Sequence, residues 1–144
     1  MKKALFLNVV MALALFFLGG CFLDREYYFS YDELKNNVER VEIVEIEEWD
    51  LKNLVVLKSL DEEESDLILK ELSEIQYMFC WGDPPSPNGI CLNLYYADGT
   101  EEVIGWCGTS QNRNIECSES EFMEMIERFL DSEQAAEAFQ KNWL

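Results

Sequence analysis

Apolar residues fill positions 4–18 with only Asn8 interrupting, and the pattern then changes character several times along the chain. VERVEIVEIEEW, residues 38 to 49, alternates apolar and acidic positions, the period of a half-buried strand. Its phase slips between Val41/Ile43 and Val44/Ile46, which predicts either a bulge or a strand buried on both faces. LVVLKSL, residues 54 to 60, reads as a second strand after a turn around Asp50–Asn53. Leu67, Ile68, Leu72, Ile75 and Phe79 then recur at helical spacing behind Asp61, which can cap the helix. Acidic residues in its first turn suit the positive end of the helix dipole. SYDELKNN, residues 30 to 37, allows one or two helical turns before the first strand.

The second half opens with WGDPPSPNG, whose three prolines and two glycines break the chain. ICLNLYYADGTEEVIGWCG follows as a hairpin. A type I turn at Tyr96-Ala97-Asp98-Gly99, with Gly99 left-handed, pairs Tyr96 with Thr100. That register sets Leu92 opposite Ile104 and Ile90 opposite Trp106 on one face; a two-residue loop would shift the pairing and lose the match. Ser118-Glu119-Ser120-Glu121 is a capping-box sequence opening a helix with Phe122, Met125, Ile126, Phe129 and Leu130 on its core side. Residues 132 to 144 continue as a helical tail with Ala135, Ala136, Phe139 and Trp143. Strand, strand, helix, strand, strand, helix predicts an α+β fold: a small antiparallel sheet of about four strands with two or three helices on one face.

The apolar start is followed by a cysteine, and this decides how the N-terminus is read. Met1-Lys2-Lys3 and the short apolar run match the charged and apolar parts of a secretory signal. Extended through Phe22 and Leu23, the run nearly reaches the ~20 residues of a membrane span. Leu18-Gly19-Gly20-Cys21 resembles the lipobox of bacterial lipoproteins, where a branched apolar residue and two small ones precede a lipid-bearing cysteine. The resemblance implies cleavage between Gly20 and Cys21 and a diacylglyceryl thioether on Cys21. Two acyl chains, at ~0.8 kcal/mol per buried CH₂, anchor stably. The resulting division is a signal peptide over 1–20, a lipidated tether over 21–29 and one α+β domain over 30–144. The body also resembles small uncharacterised lipoproteins of Gram-positive bacteria in element order and acidic pattern, a likeness that carries no functional residue across. The implied location is the extracytoplasmic face of the cell membrane.

Charge narrows the partners. The chain has 11 Lys+Arg, 29 Asp+Glu and no His; loss of Lys2 and Lys3 with the signal leaves a net charge of about −20. No basic footprint exists for nucleic acid, and an anionic bilayer repels the domain rather than attracting it. DEEESD lacks the glycine and spacing of an EF-hand loop, so it reads as a solvated helix start.

The absence of histidine removes Ser–His–Asp and Cys–His catalysis and His-containing metal sites. No CxxC supports zinc, and no cofactor or metal is expected. Carboxylate pairs could serve a hydrolase, but among 29 carboxylates some close pair is unavoidable. Beyond Cys21, the thiols Cys80, Cys91, Cys107 and Cys117 are even in number, which outside the cytoplasm favours disulfides. Pairing neighbours gives Cys80–Cys91 and Cys107–Cys117, each clip adding ~2–3 kcal/mol. Cys91–Cys107 and reduced thiols are the alternatives.

Trp81, Asp83, Pro84 and Pro85, with Tyr95 and Trp106 of the hairpin, form the candidate contact surface. The plainer alternative has Trp106 packing under the helices and the proline loop as a connector. The functional expectation is a non-catalytic binding or accessory lipoprotein. The alternative is an acidic immunity- or inhibitor-type lipoprotein sequestering a basic protein or peptide, and a carboxylate-dependent hydrolase ranks below both.

Overall fold

The computed structural model of the chain describes residues 25–47 and 50–141, with side chains through residue 137. The signal peptide, Gly20, Cys21, Trp49, the Phe139 side chain and Trp143 lie outside the described residues. Among the described residues the fold is α+β, as the pattern predicts. A four-stranded antiparallel sheet is ordered β3-β2-β5-β6, from β2 (Val38–Ile46), β3 (Leu54–Ser59), β5 (Gly89–Tyr96) and β6 (Glu101–Ile104). A second, three-stranded sheet, β1-β4-β7, is built from β1 (Glu26–Tyr27), β4 (Tyr77–Phe79) and β7 (Ile115–Glu116). The helices are α1 (Tyr31–Asn37), α2 (Glu62–Glu74), α3 (Glu119–Glu127) and α4 (Ser132–Lys141).

The phase slip in β2 has a double explanation. Val41 and Ile43 point into the main core with Leu92, Leu94 and Ile104, against Leu34 of α1, Ile68 and Leu72 of α2, and Phe122 and Ile126 of α3. Val44 and Ile46 point the other way, into a smaller cluster with Cys91, Val103 and Leu54. The strand is therefore apolar on both faces. A bulge exists too, but its extra residue is Leu57 on β3: Ile43 pairs with Lys58 while Val44 pairs with Val56.

The β5–β6 hairpin adopts the expected register. Tyr96 N–H donates to Thr100 O at 2.9 Å, Gly99 has φ 84°, and Leu92 lies opposite Ile104. The pairing does not extend to Ile90 and Trp106, because the chain turns back at once. Gly105 N–H donates to Gly108 O at 3.1 Å, and Ser110 N–H donates to Val103 O at 2.8 Å. That return lies along the free edge of β6 and occupies its hydrogen-bonding groups.

Gly108 is where the proline loop docks. Its φ is 78°, and a Cβ there would fall 2.0 Å from Pro85 O. Both conditions exclude any other residue without movement of the loop. Gly108→Ala is expected to cost about 2 kcal/mol and to detach residues 82–88, seen as a lowered thermal midpoint and new proteolytic cleavage in that loop.

Two expectations are corrected. The helical spacing was expected to run through Phe79, but α2 stops at Glu74 and residues 77–79 form β4, leaving Phe79 exposed. Two apolar residues at helical offsets cannot distinguish one more turn from a short strand. The tether was expected to reach residue 29, but Tyr27 pairs with Tyr77, Glu26 with Met78, and Phe29 is 5% exposed. The Phe29 ring stands edge-on to Tyr27 and Tyr77 at 5.1 and 5.4 Å, so burial of the aromatic run draws it into the core.

Candidate functional site

A cleft of about 430 Å³ opens between α1, the hairpin turn and residues 111–113. Asn37 O accepts from Ala97 N–H at 2.8 Å, tying the end of α1 to the hairpin turn at one wall. The floor is a polar cluster drawn from three distant parts of the chain. Glu102 lies on the core-facing side of β6 beside Tyr96, and its side chain is 1% exposed. Arg113 Nε donates to Glu102 Oε1 at 2.9 Å, and Tyr96 O–H donates to Glu102 Oε2 at 3.0 Å. Arg113 Nη1 donates to the Tyr27 hydroxyl at 2.6 Å, linking the floor to β1. The guanidinium also lies 5.8 Å from the ring centres of both Tyr27 and Phe29.

The residue before Arg113 explains how it is aimed. Asn112 has φ 58°, left-handed backbone that asparagine tolerates better than most residues. Its N–H donates to Thr109 O at 3.0 Å, and Arg113 N–H donates to Thr109 Oγ1 at 3.4 Å. This tight turn directs Arg113 inward beside the exposed Gln111 and Asn112.

The electrostatics follow from burial. Burial works against the Arg113 charge, but Glu102, Tyr27 and Tyr96 outweigh it and hold its pKa above the ordinary value. Burial, then Glu102, pushes the Tyr96 phenol far up. Tyr27 is raised by burial despite the opposing pull of Arg113. Both phenols therefore keep their protons at neutral pH. Arg113 retains 39% side-chain exposure and lines the cleft while its Nε holds Glu102. Around the mouth stand Glu33, Asn37, Asp98, Thr100 and Gln111. Asp98 Oδ1 accepts from Thr100 N–H and Oγ1 at 2.9 and 2.6 Å, which lowers its pKa.

The residues singled out from sequence lie elsewhere and do not form one surface. Trp81 is 89% exposed at the start of the proline loop, with Asp83 and Pro84 exposed and Pro85 half-buried against Gly108. Trp106 packs partly buried against the main core. Tyr95 lies at the turn end of the hairpin, on the sheet face away from the helices; its hydroxyl donates to Glu42 Oε2 at 2.8 Å under the Arg40 guanidinium. Trp106 lies past the hairpin's other end.

The four cysteines Cys80, Cys91, Cys107 and Cys117 are free thiols, in place of the expected neighbour pairings. Cys107 is directly opposite Glu116 and Cys117 is the next residue, so the two thiols point to opposite sides of the strand pair. Cys117 faces the main core, whereas Cys91 is enclosed with Val44, Ile46 and Val103 beyond the larger sheet. Cys80 lies at the end of β4 near Glu116. Burial, aided by Glu116, pushes Cys80 up to about 11, and burial pushes Cys117 up to about 12. All four should titrate in denaturant without reductant. In the native protein at pH 8, iodoacetamide should label Cys80 and Cys107 slowly and Cys91 only after unfolding; denatured protein lacking these thiols would contradict this arrangement.

Among the described residues no group of three or more Cys, Asp or Glu is placed to hold a metal ion. Compared with protein-family models, curated proteins and solved structures, the chain finds no match.

Proposed function

We propose that this chain is a lipid-anchored, extracytoplasmic binding module, tethered through Cys21, whose ligand site is the Arg113 cleft. The observation that carries the reading is a buried ion pair built at the floor of an open cavity. An ion pair whose carboxylate is removed from water contributes little net stability, yet here its half-exposed guanidinium lines a cleft of ligand-accommodating size. Both Glu102 oxygens are engaged, by Arg113 and Tyr96, which suits a group that holds another in place rather than one that carries a proton. This supports a binding role over a hydrolytic one. The net charge supports a second reading, capture of a basic protein by the acidic surface.

Two measurements test the proposal. Intact mass of the membrane-extracted protein should show loss of residues 1–20 and a diacylglyceryl adduct on Cys21; an unprocessed chain would remove the location. A thermal-shift screen of small polar metabolites should raise the midpoint of the wild type and not of a Glu33→Gln variant. Stabilisation only by basic proteins, lost at high salt, would favour the capture reading instead.

A further inference from the structure

The chemistry of the cleft narrows its ligand, an inference that rests on the cleft being the binding site. At the floor, Arg113 uses Nε on Glu102 and Nη1 on Tyr27, leaving Nη2 uncommitted. The Tyr27 hydroxyl accepts from Arg113, so its own proton remains to be donated. Two donors therefore remain on hydrogen-bonded neighbours, one of them cationic, a donor set suited to a carboxylate. At the mouth the polarity reverses. Glu33 is an exposed carboxylate on α1, and Asp98 engages Thr100 through Oδ1, leaving Oδ2 uncommitted. The cleft thus offers hydrogen-bond donors at the bottom, where Glu102 balances the charge of Arg113, and carboxylates at the rim.

A simple anion meets the two rim carboxylates and the acidic surface beyond them, while a simple cation leaves the floor donors, Arg113 Nη2 and the Tyr27 hydroxyl, without an acceptor. Only a molecule carrying both charges, the negative end leading, satisfies both. We propose that the cleft binds a short zwitterion of amino-acid or dipeptide size, its carboxylate on Arg113 Nη2 and the Tyr27 hydroxyl, its ammonium between Glu33 and Asp98. The rings of Tyr27, Phe29 and Tyr96 and the Leu34 side chain supply apolar wall between the charged ends. Substitution at Arg113 is a poor test, because it strands Glu102. Glu33→Gln removes one contact, and Tyr27→Phe removes the ligand contact together with the acceptor of Arg113 Nη1; both retain the Glu102–Arg113 ion pair.

The test is isothermal titration of the full chain in detergent with alanyl-leucine, its C-terminal amide and its N-acetyl derivative. The free dipeptide is expected to bind, and each blocked form to bind about tenfold or more weakly, the value of one charge-assisted contact. Glu33→Gln should weaken the free dipeptide and leave the N-acetyl form unchanged; Tyr27→Phe should do the converse with the amide. Equal binding of the amide would make this a cation site, and equal binding of the N-acetyl form an anion site. Either would overturn the zwitterion while leaving the cleft as a binding site. No heat from any of the three also overturns it, and the metabolite screen with Glu33→Gln then decides whether the cleft binds anything.

Discussion

Arg113→Met is expected to destabilise the protein by about 3–5 kcal/mol, the cost of leaving a buried carboxylate without its cation. Glu102 has 1% side-chain exposure, so the carboxylate left behind can be rehydrated only through the cleft above it. Against a total stability of ~5–15 kcal/mol for a domain of this kind, such a loss brings unfolding within reach at physiological temperature. The double variant Arg113→Met with Glu102→Gln should recover most of the loss, since a neutral amide can still pair with the Tyr96 hydroxyl. Urea unfolding of the two single variants and the double measures this directly, with the midpoint shifting at constant slope. Additive losses would mean that the two side chains are not coupled and that the floor of the cleft is mere surface.

The parts of this fold legible in the sequence are those whose signals are local. Strand β2, the hairpin register and the caps at Asp61 and Ser118 rest on residue alternation, a left-handed glycine and side chains reaching three residues ahead. The second sheet has no such signal, because its strands are two or three residues long and join Tyr27 to Tyr77 and Met78 to Glu116. Periodicity needs more residues than that to register. The cleft was hidden for a related reason. Glu102 shares the face of Ile104 in the hairpin register, so its inward direction was legible, but in a chain with 29 carboxylates nothing local names its partner. The usable signal was Arg113: one of few basic residues in the body, placed after an asparagine in the loop QNRN. Aromatic content alone does not show that Trp81 stands in the proline loop before the hairpin while Tyr95 lies at the hairpin's turn end.

Phe29→Ala should cost about 3–5 kcal/mol, the range for emptying an aromatic site in a core. Its neighbour Tyr28, 49% exposed, supplies the control: Tyr28→Ala should stay within about 0.5 kcal/mol. A flexible tether predicts near-zero effects for both, so the contrast between adjacent residues separates the two pictures in one pair of denaturation curves. The physical reason is the strand pairing ahead of it, which delivers Tyr27 to the cleft and Phe29 to the core on either side of an outward-facing Tyr28. The same pairing bears on the anchor. Phe79 N–H donates to Arg25 O at 3.1 Å, so the folded body reaches back at least to Arg25. If Cys21 carries the lipid, no more than about 14 Å of extended chain separates the two. Tyr27, which holds Arg113 at the cleft floor, then lies two residues beyond the point where the tether meets the fold. Under that condition a short tether would hold the cleft beside the bilayer surface, and inserting a flexible linker after Asp24 should release that constraint while leaving the unfolding midpoint unchanged. Loss of stability on that insertion would instead place the start of the folded body upstream of Arg25.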